Sequence, residues 1–343
     1  MKQSRRPRLI EVARRAGVST ATVSRVLAHP TIVRAETSER VHAVIAELGY
    51  RPNGFARALA GGKSRTVGFV VPTLDNAVFS RALQSMQAVL SGAGYHLLVA
   101  SSDYTPAAET EAIRALIGQG VDALVVVGAD RARETSMLLE RAGIPVVVTW
   151  VEDHRWPSII IDNHLAGRLA AQHLLDLGHR RIAVVSLPVL HNDRQRKRVA
   201  GVRQALSDAG VRLPDAYVRE QSTTVSGGRA AAASLLQLHE PPTAIVCCID
   251  YQAVGAMIEA QASGLDVPEQ MSVVGIDNLE FGEHLNPSLT TVQVPTAAIG
   301  ERAALQIIGR LAKQKMPRVE CLSIELIARK SSAPPRPSRS GAD

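Results

Sequence analysis

The chain has 343 residues, 46% of them apolar, with a net charge of +7 and three cysteines. That length supports two or more domains with a large core, and the apolar share excludes a disordered chain. No apolar run nears the ~20 residues of a membrane span. The basic start MKQSRRPRL has no apolar segment behind it, and Cys247, Cys248 and Cys321 are odd in number, so the expectation is a cytoplasmic protein without a disulfide framework.

The charge is concentrated at the front. Residues 1–65 carry 13 Lys and Arg against four acids, so they hold +9 while the remainder holds −2. This is the electrostatic footprint of a polyanion-binding head on an ordinary body. The segment LIEVARRA (9–16) reads as a helix with Ile10 and Ala13 inward and Arg14 and Arg15 outward. Gly17 supplies a turn that tolerates positive φ, and Ser19 is a good N-cap for the next helix. In GVSTATVSRVL (17–27), Val23, Val26 and Leu27 share one helix face, whereas Thr20, Ala21, Ser24 and Arg25 share another. That second face is hydroxyl-rich and cationic. A third helix is expected over about 36–48, with Val41, Val44, Ile45 and Leu48 as its stripe and Gly49 as its stop.

Helix, glycine turn, then a helix with a small polar outer face is a helix-turn-helix, whose second helix enters the major groove of double-stranded DNA. The small Thr20 and Ala21 allow close approach, Arg25 can chelate guanine O6 and N7, and Thr22 is a further DNA-binding candidate. Ser19 and Ser24 suit phosphates, which position without reading sequence.

VARRAGVSTATVSRVL resembles the helix-turn-helix of the lac repressor/purine repressor family of bacterial transcription regulators, and ELGYRPNGFARALAGGKS resembles that family's third helix and hinge. The resemblance implies that the hinge becomes helical on DNA and presses Leu59 into the minor groove, with Asn53 and Ala56 in register. Gly54 lowers the hinge's intrinsic helicity by about 1 kcal/mol relative to Ala. Arg8 and Ala28 depart from the family's usual Thr cap and phosphate-binding Asn. GGKS (61–64) is no P-loop, because position 57 is Arg where the motif needs Gly and no strand precedes it.

From Thr66 onward, β-branched runs alternate with helix-length segments: TVGFVVP, YHLLVAS, DALVVVG, PVVVTW, SIIID, RIAVVS, AIVCCID and SVVGID. Continuous apolar strands of this kind predict parallel sheets covered on both faces, divided between two α/β subdomains with ligand in the cleft at the strands' carboxyl ends. The family resemblance covers this region to about Lys330 and implies a periplasmic-binding-protein-like core. The expected organisation is a helix-turn-helix head at 1–50, a hinge at 51–63, one core subdomain from 64–161 plus 291–320, a second from 162–290 plus 321–330, and a disordered Pro/Ser-rich tail at 331–343.

The resemblance also implies an effector site. Asn76, Val78 and Phe79 match the family's effector wall, Arg198 its ligand-gripping arginine and Asp277 its hydroxyl-binding carboxylate; Arg194 is a further candidate. Trp150, Thr223 and Ile249 stand at effector positions that commonly hold other residues. Asp250 reads as a helix cap and His179 as structural. The site lacks some neutral-sugar contacts and keeps cations, and DNAVF and EQSTTVSGG resemble gluconate-type regulators, which points to a sugar acid.

No catalytic constellation, metal-spaced His/Cys set or dinucleotide loop emerges, so neither enzyme activity nor a cofactor is expected. The expected protein is a homodimeric transcriptional repressor on a near-palindromic operator, switched by a sugar or sugar-acid effector and without a membrane partner. The alternative is a solute-binding receptor with the same core, which would carry an export signal in place of the head.

Overall fold

The computed structural model describes residues 7–28, 32–50 and 63–336. The chain divides into two compact units, one of residues 1–66 with 118–122 and one comprising the rest.

In the first unit, helices α1 (Leu9–Ala16), α2 (Thr20–Ala28) and α3 (Ala35–Leu48) enclose a small core of Val12, Ala13, Ala16, Val23, Val26, Val41, Val44 and Tyr50. Gly17 and Gly49 close α1 and α3 in the left-handed region, at φ 64° and 60°, where a Cβ is penalised. Ser19 caps α2, its Oγ accepting from the Thr22 amide at 3.1 Å. Arg8 has no side-chain acceptor to offer, and Glu11 compensates by accepting from the Arg8 amide at 3.1 Å. One expectation fails: Ile10 is 56% exposed, because α1 turns Val12, Ala13 and Ala16 to the core. The hinge residues Asn53, Ala56 and Leu59 lie outside the described residues.

The second unit holds two six-stranded sheets. The first runs in the order β11 (Val319–Leu322), β5 (Ser158–Ile161), β4 (Val146–Trp150), β3 (Ala123–Val127), β1 (Thr66–Val71), β2 (His96–Ser101). The second repeats the pattern with β12 (Glu325–Ile327), β10 (Thr290–Gln293), β9 (Ser272–Asp277), β8 (Ala244–Cys247), β6 (Ile182–Ser186), β7 (Val218–Glu220). Ladders from β1 through β3, β4 and β5 to β11 are parallel, as are those from β7 through β6, β8 and β9 to β10; β12 closes the second sheet antiparallel. The apolar runs of β1, β3, β4, β6, β8 and β9 are buried as expected. β2 is not: it is an edge strand, and Leu98 and Val99 are exposed.

Three chain passages connect the sheets. β10 ends at Gln293 in the second sheet and β11 at Leu322 in the first, so the second and third passages fall about two residues beyond the expected 291 and 321. The tail is also ordered further than its composition suggests. Ser331 is buried, its Oγ donating to the Val273 carbonyl at 2.6 Å and accepting from the Thr290 amide at 2.8 Å. His179 anchors the same edge through Thr243, Ser272 and the Ala333 carbonyl, which bears out its structural reading. Cys247 and Cys248 are free and buried, whereas Cys321 is exposed. No described helix is long and apolar enough to cross a membrane.

Helices α7 (Asn163–Asp176) and α8 (Asp193–Asp208) cross at two glycines. A Cβ on Gly167 would lie 1.9 Å from the Arg198 carbonyl oxygen, and one on Gly201 the same distance from that of His164. Adding a methyl group to such a contact costs about 1–3 kcal/mol through backbone displacement. Gly201→Ala should therefore lower Tm by several degrees in calorimetry, whereas Gly118→Ala, at a position whose added Cβ meets nothing within 4 Å, should not.

Candidate functional site

The head presents its second helix outward. Thr20, Ala21 and Arg25 are exposed beside Ser19, while Thr22 and Ser24 are half-buried and Val23 and Val26 face the core. The Ser19 and Thr22 hydroxyls lie 2.9 Å apart and bond to each other. Arg40 ties α3 to the end of α1 by donating from Nε to the Ala16 carbonyl at 3.0 Å, and Arg15 pairs with Glu47. α2 is thus held from both sides by its own core with its polar face free, the arrangement a groove-reading helix needs.

In the second unit, side chains from both sheets converge beyond the strands' carboxyl ends, where an α/β sheet places its ligands. Asn76 caps α4 (Ala77–Gly92), its Oδ1 accepting from the Val78 amide at 2.9 Å, and delivers Val78 and Phe79 to the cleft. Phe79 meets Trp150, the last residue of β4, edge-to-face with ring centroids 5.2 Å apart. From the other sheet come Arg194 and Arg198 of α8, Ile249 after β8, and Asp277 at the end of β9. These eight sequence-derived candidates line one cavity. Thr223 does not. The loop that carries it is pinned by Gln252, which donates from Nε2 to the carbonyls of Gln221 and Ser222 at 3.1 Å, and the neighbouring Thr224 caps the next helix.

Arg198 organises the site. It is buried, and its guanidinium donates to Asn163 Oδ1 at 3.1 Å, to the Cys248 carbonyl at 2.6 Å and to Asp277 Oδ1 at 3.3 Å. Asn163 in turn donates to the Trp150 carbonyl at 2.8 Å, so one amide links the aromatic wall of the first sheet to the arginine of the second. The other oxygen of Asp277, Oδ2, is buried with no hydrogen-bond partner among the described residues. Burial drives the Asp277 carboxyl up to about 7, against the favourable charge of Arg198. Burial also raises the phenol of Tyr104 to about 12, so it stays protonated and able to donate. Asp250 is not the cap: Ile249 holds that position, and Asp250 accepts from the Leu279 amide at 2.7 Å and the Thr291 hydroxyl at 2.6 Å.

Backbone strain gathers around the same cleft. Tyr104, Trp150, His191 and Asp277 have φ of 57°, 69°, 58° and 132°, values that side-chain-bearing residues rarely adopt. Such conformations persist where the surroundings over-determine them, and they cluster at ligand sites.

Sequence reasoning missed Tyr104, Asn163, Leu187, Asn192, Asp193 and Gln195. Tyr104 follows the carboxyl end of β2, so the strand-end rule applied to that run would have found it. Asn163 carries no such signal, since its role comes from partners 13 and 35 residues away.

Residues 8–53 match the family described as bacterial regulatory proteins, lacI family, and residues 171–332 match the periplasmic binding protein-like domain. The chain is 32% identical over 325 residues to the HTH-type transcriptional repressor PurR of Vibrio atlanticus (strain LGP32), spanning 93% of this chain and 96% of that one. The chain belongs to the LacI family of bacterial regulators. Two solved structures resemble most of this LacI-family chain in fold. The lac repressor dimer bound to operator and the anti-inducer ONPF has a TM-score of 0.83 at 29% identity, covering 96% of this chain and all of that one. A transcriptional regulator CelR–cellobiose complex has a TM-score of 0.72 at 30% identity, covering 95% and 100%. This LacI-family member is therefore a transcriptional repressor with a ligand-binding core, and its relatives are regulators, not enzymes.

The buried carboxylate gives a pH signature. Between its unfolded pKa near 4 and its folded value of about 7, the native state holds the Asp277 proton that the unfolded chain has released. Its stabilising contribution is therefore complete below the unfolded pKa and is lost as pH rises through about 7. Across pH 5 to 8, the stability difference between the native chain and Asp277→Asn should fall with rising pH, as read by urea denaturation.

Proposed function

We propose that this repressor acts as a cytoplasmic homodimer whose two heads grip a near-palindromic operator, and that a sugar acid or similar polyhydroxy anion in the core cleft switches that grip. The observation that carries the ligand class is the placement of Arg194 and Arg198 with the unpartnered Asp277 Oδ2 around one aromatic-walled cavity. Guanidinium forks suit carboxylates, a lone carboxylate oxygen suits hydroxyls, and Phe79 and Trp150 offer apolar faces to ring carbons. The relative solved with cellobiose supports a carbohydrate ligand, and the one solved with operator supports DNA as partner.

Thr20, Ala21, Thr22 and Arg25 read bases, while Ser19 and Ser24 hold phosphates. Asn53, Ala56 and Leu59 act in the minor groove. In the core, Asn76, Val78, Phe79, Trp150, Arg194, Arg198, Ile249 and Asp277 bind effector. A ligand that favours one cleft geometry over the other shifts operator affinity by a coupling on the order of 1–3 kcal/mol, and one binding both equally shifts nothing.

In fluorescence anisotropy on the protein's own upstream DNA, Arg25→Ala should weaken binding by about ten- to a hundredfold. Removing residues 1–62 should abolish DNA binding yet keep ligand-induced thermal stabilisation. Gluconate should shift operator affinity more than glucose, and Arg194→Gln should erase that preference. DNA binding by the truncated core, or a stronger response to glucose than to gluconate, would refute this reading.

A further inference from the structure

The cleft is divided into two chambers. The first, of about 30 Å³, is the one bounded by Phe79, Trp150, Arg198 and Asp277. The second, also about 30 Å³, is bounded by Ser102, Thr105, Glu109, Gly128, Asp130 and His191. Tyr104 and Arg194 line both, so these two residues form the partition. Both chambers have walls from the first-sheet and second-sheet subdomains, so separating those subdomains widens both together. Each now has room for about two waters, and a sugar ring needs that separation or a swing of the partition.

Arg194 is held at the junction by construction. Its Nη1 donates to Asp193 Oδ1 at 3.1 Å, while Asp193 Oδ2 accepts from the Ala129 and Asp130 amides at 2.6 and 3.2 Å. A Cβ on Gly128, where φ is +80°, would lie 2.2 Å from Arg194 Nη1. The backbone there is bare on the side where the guanidinium rests.

The chambers differ in chemistry. The first offers Arg198, aromatic faces and the Asp277 oxygen that has no partner among the described residues. The second offers two carboxylates, Glu109 and Asp130, with the Ser102 and Thr105 hydroxyls, and its one arginine is the shared Arg194. Asp130 already pairs with Arg196 at 2.8 Å and Glu109 faces Arg131 at 3.6 Å, so both hold their place as hydroxyl acceptors. An acid group deep in the second chamber would meet these carboxylates, whereas a neutral hydroxylated unit would find acceptors.

We infer that the effector is a two-unit carbohydrate acid of the aldobionic class, with its acid-bearing unit in the first chamber, its neutral sugar in the second and Arg194 at the junction. This inference rests on the sugar-acid reading above and extends it from one unit to two.

Isothermal titration of the full chain with gluconate and with cellobionate or lactobionate tests it. The two-unit acids should bind at least tenfold more tightly than gluconate. Glu109→Gln and, separately, Asp130→Asn should each cut that ratio at least fivefold, with Tm measured to show that the variants fold. Equal affinities for one-unit and two-unit acids, or a ratio that neither variant moves, would overturn the two-unit inference while gluconate binding upheld the acid reading. Binding of glucose and cellobiose with no binding of any acid would overturn both.

Discussion

The buried guanidinium of Arg198 is the constraint around which the core is arranged. Removing such a charge from water costs several kcal/mol, and it is tolerated only where its donors are filled with good geometry. Asn163, the Cys248 carbonyl and Asp277 accept from its Nε and Nη1, from three different parts of the chain. That arrangement requires α7 and α8 to run almost in backbone contact, which Gly167 and Gly201 permit. Helix packing, the end of β9 and the electrostatics of the cleft are therefore one problem with one solution. Asp277 gives one oxygen to the arginine and leaves the other without a partner among the described residues, so the carboxyl that completes the core also makes the site receptive.

Around this fixed point, polar contacts join the two sheets' subdomains. Asp193 holds the Ala129 and Asp130 amides, Arg196 pairs with Asp130 at 2.8 Å, and Arg81 pairs with Glu280 at 3.1 Å. The two ion pairs are partly exposed and individually worth little. An interface of this sort suits a hinge, because small differential contacts from a ligand can decide between two arrangements. The strained residues Tyr104, Trp150 and Asp277 stand on both sides of it.

Much of this was legible in the chain. The head's helices, its glycine turns and the Ser19 cap follow from periodicity and turn chemistry, which act over a few residues. The buried strands follow from runs such as ALVVV and IAVVS. Failures occur where neighbours distant in sequence decide. Ile10 fits a helical stripe but the three-helix core selects the adjoining face. β2 has an apolar sequence, yet its edge position leaves Leu98 and Val99 exposed. The short edge strands β7, β11 and β12 carry weak local signals and exist because a neighbouring strand receives them. The serines at 331–332 read as tail, but a carbonyl of β9, a hydroxyl of β10 and the His173 imidazole of α7 give them partners.

The sequence by itself determined the kind of molecule: a cationic reading head and a parallel two-sheet body with its ligand cleft at the strands' carboxyl ends. These properties reside in composition and short-range pattern, so no three-dimensional information was needed to find them. Only the tertiary structure decided which strand-end residues share a cavity, why Thr223 is outside it, and that Tyr104 and Arg194 split the cleft. Those outcomes depend on distances between groups tens to hundreds of residues apart, and such distances are set by the packing of whole helices and sheets.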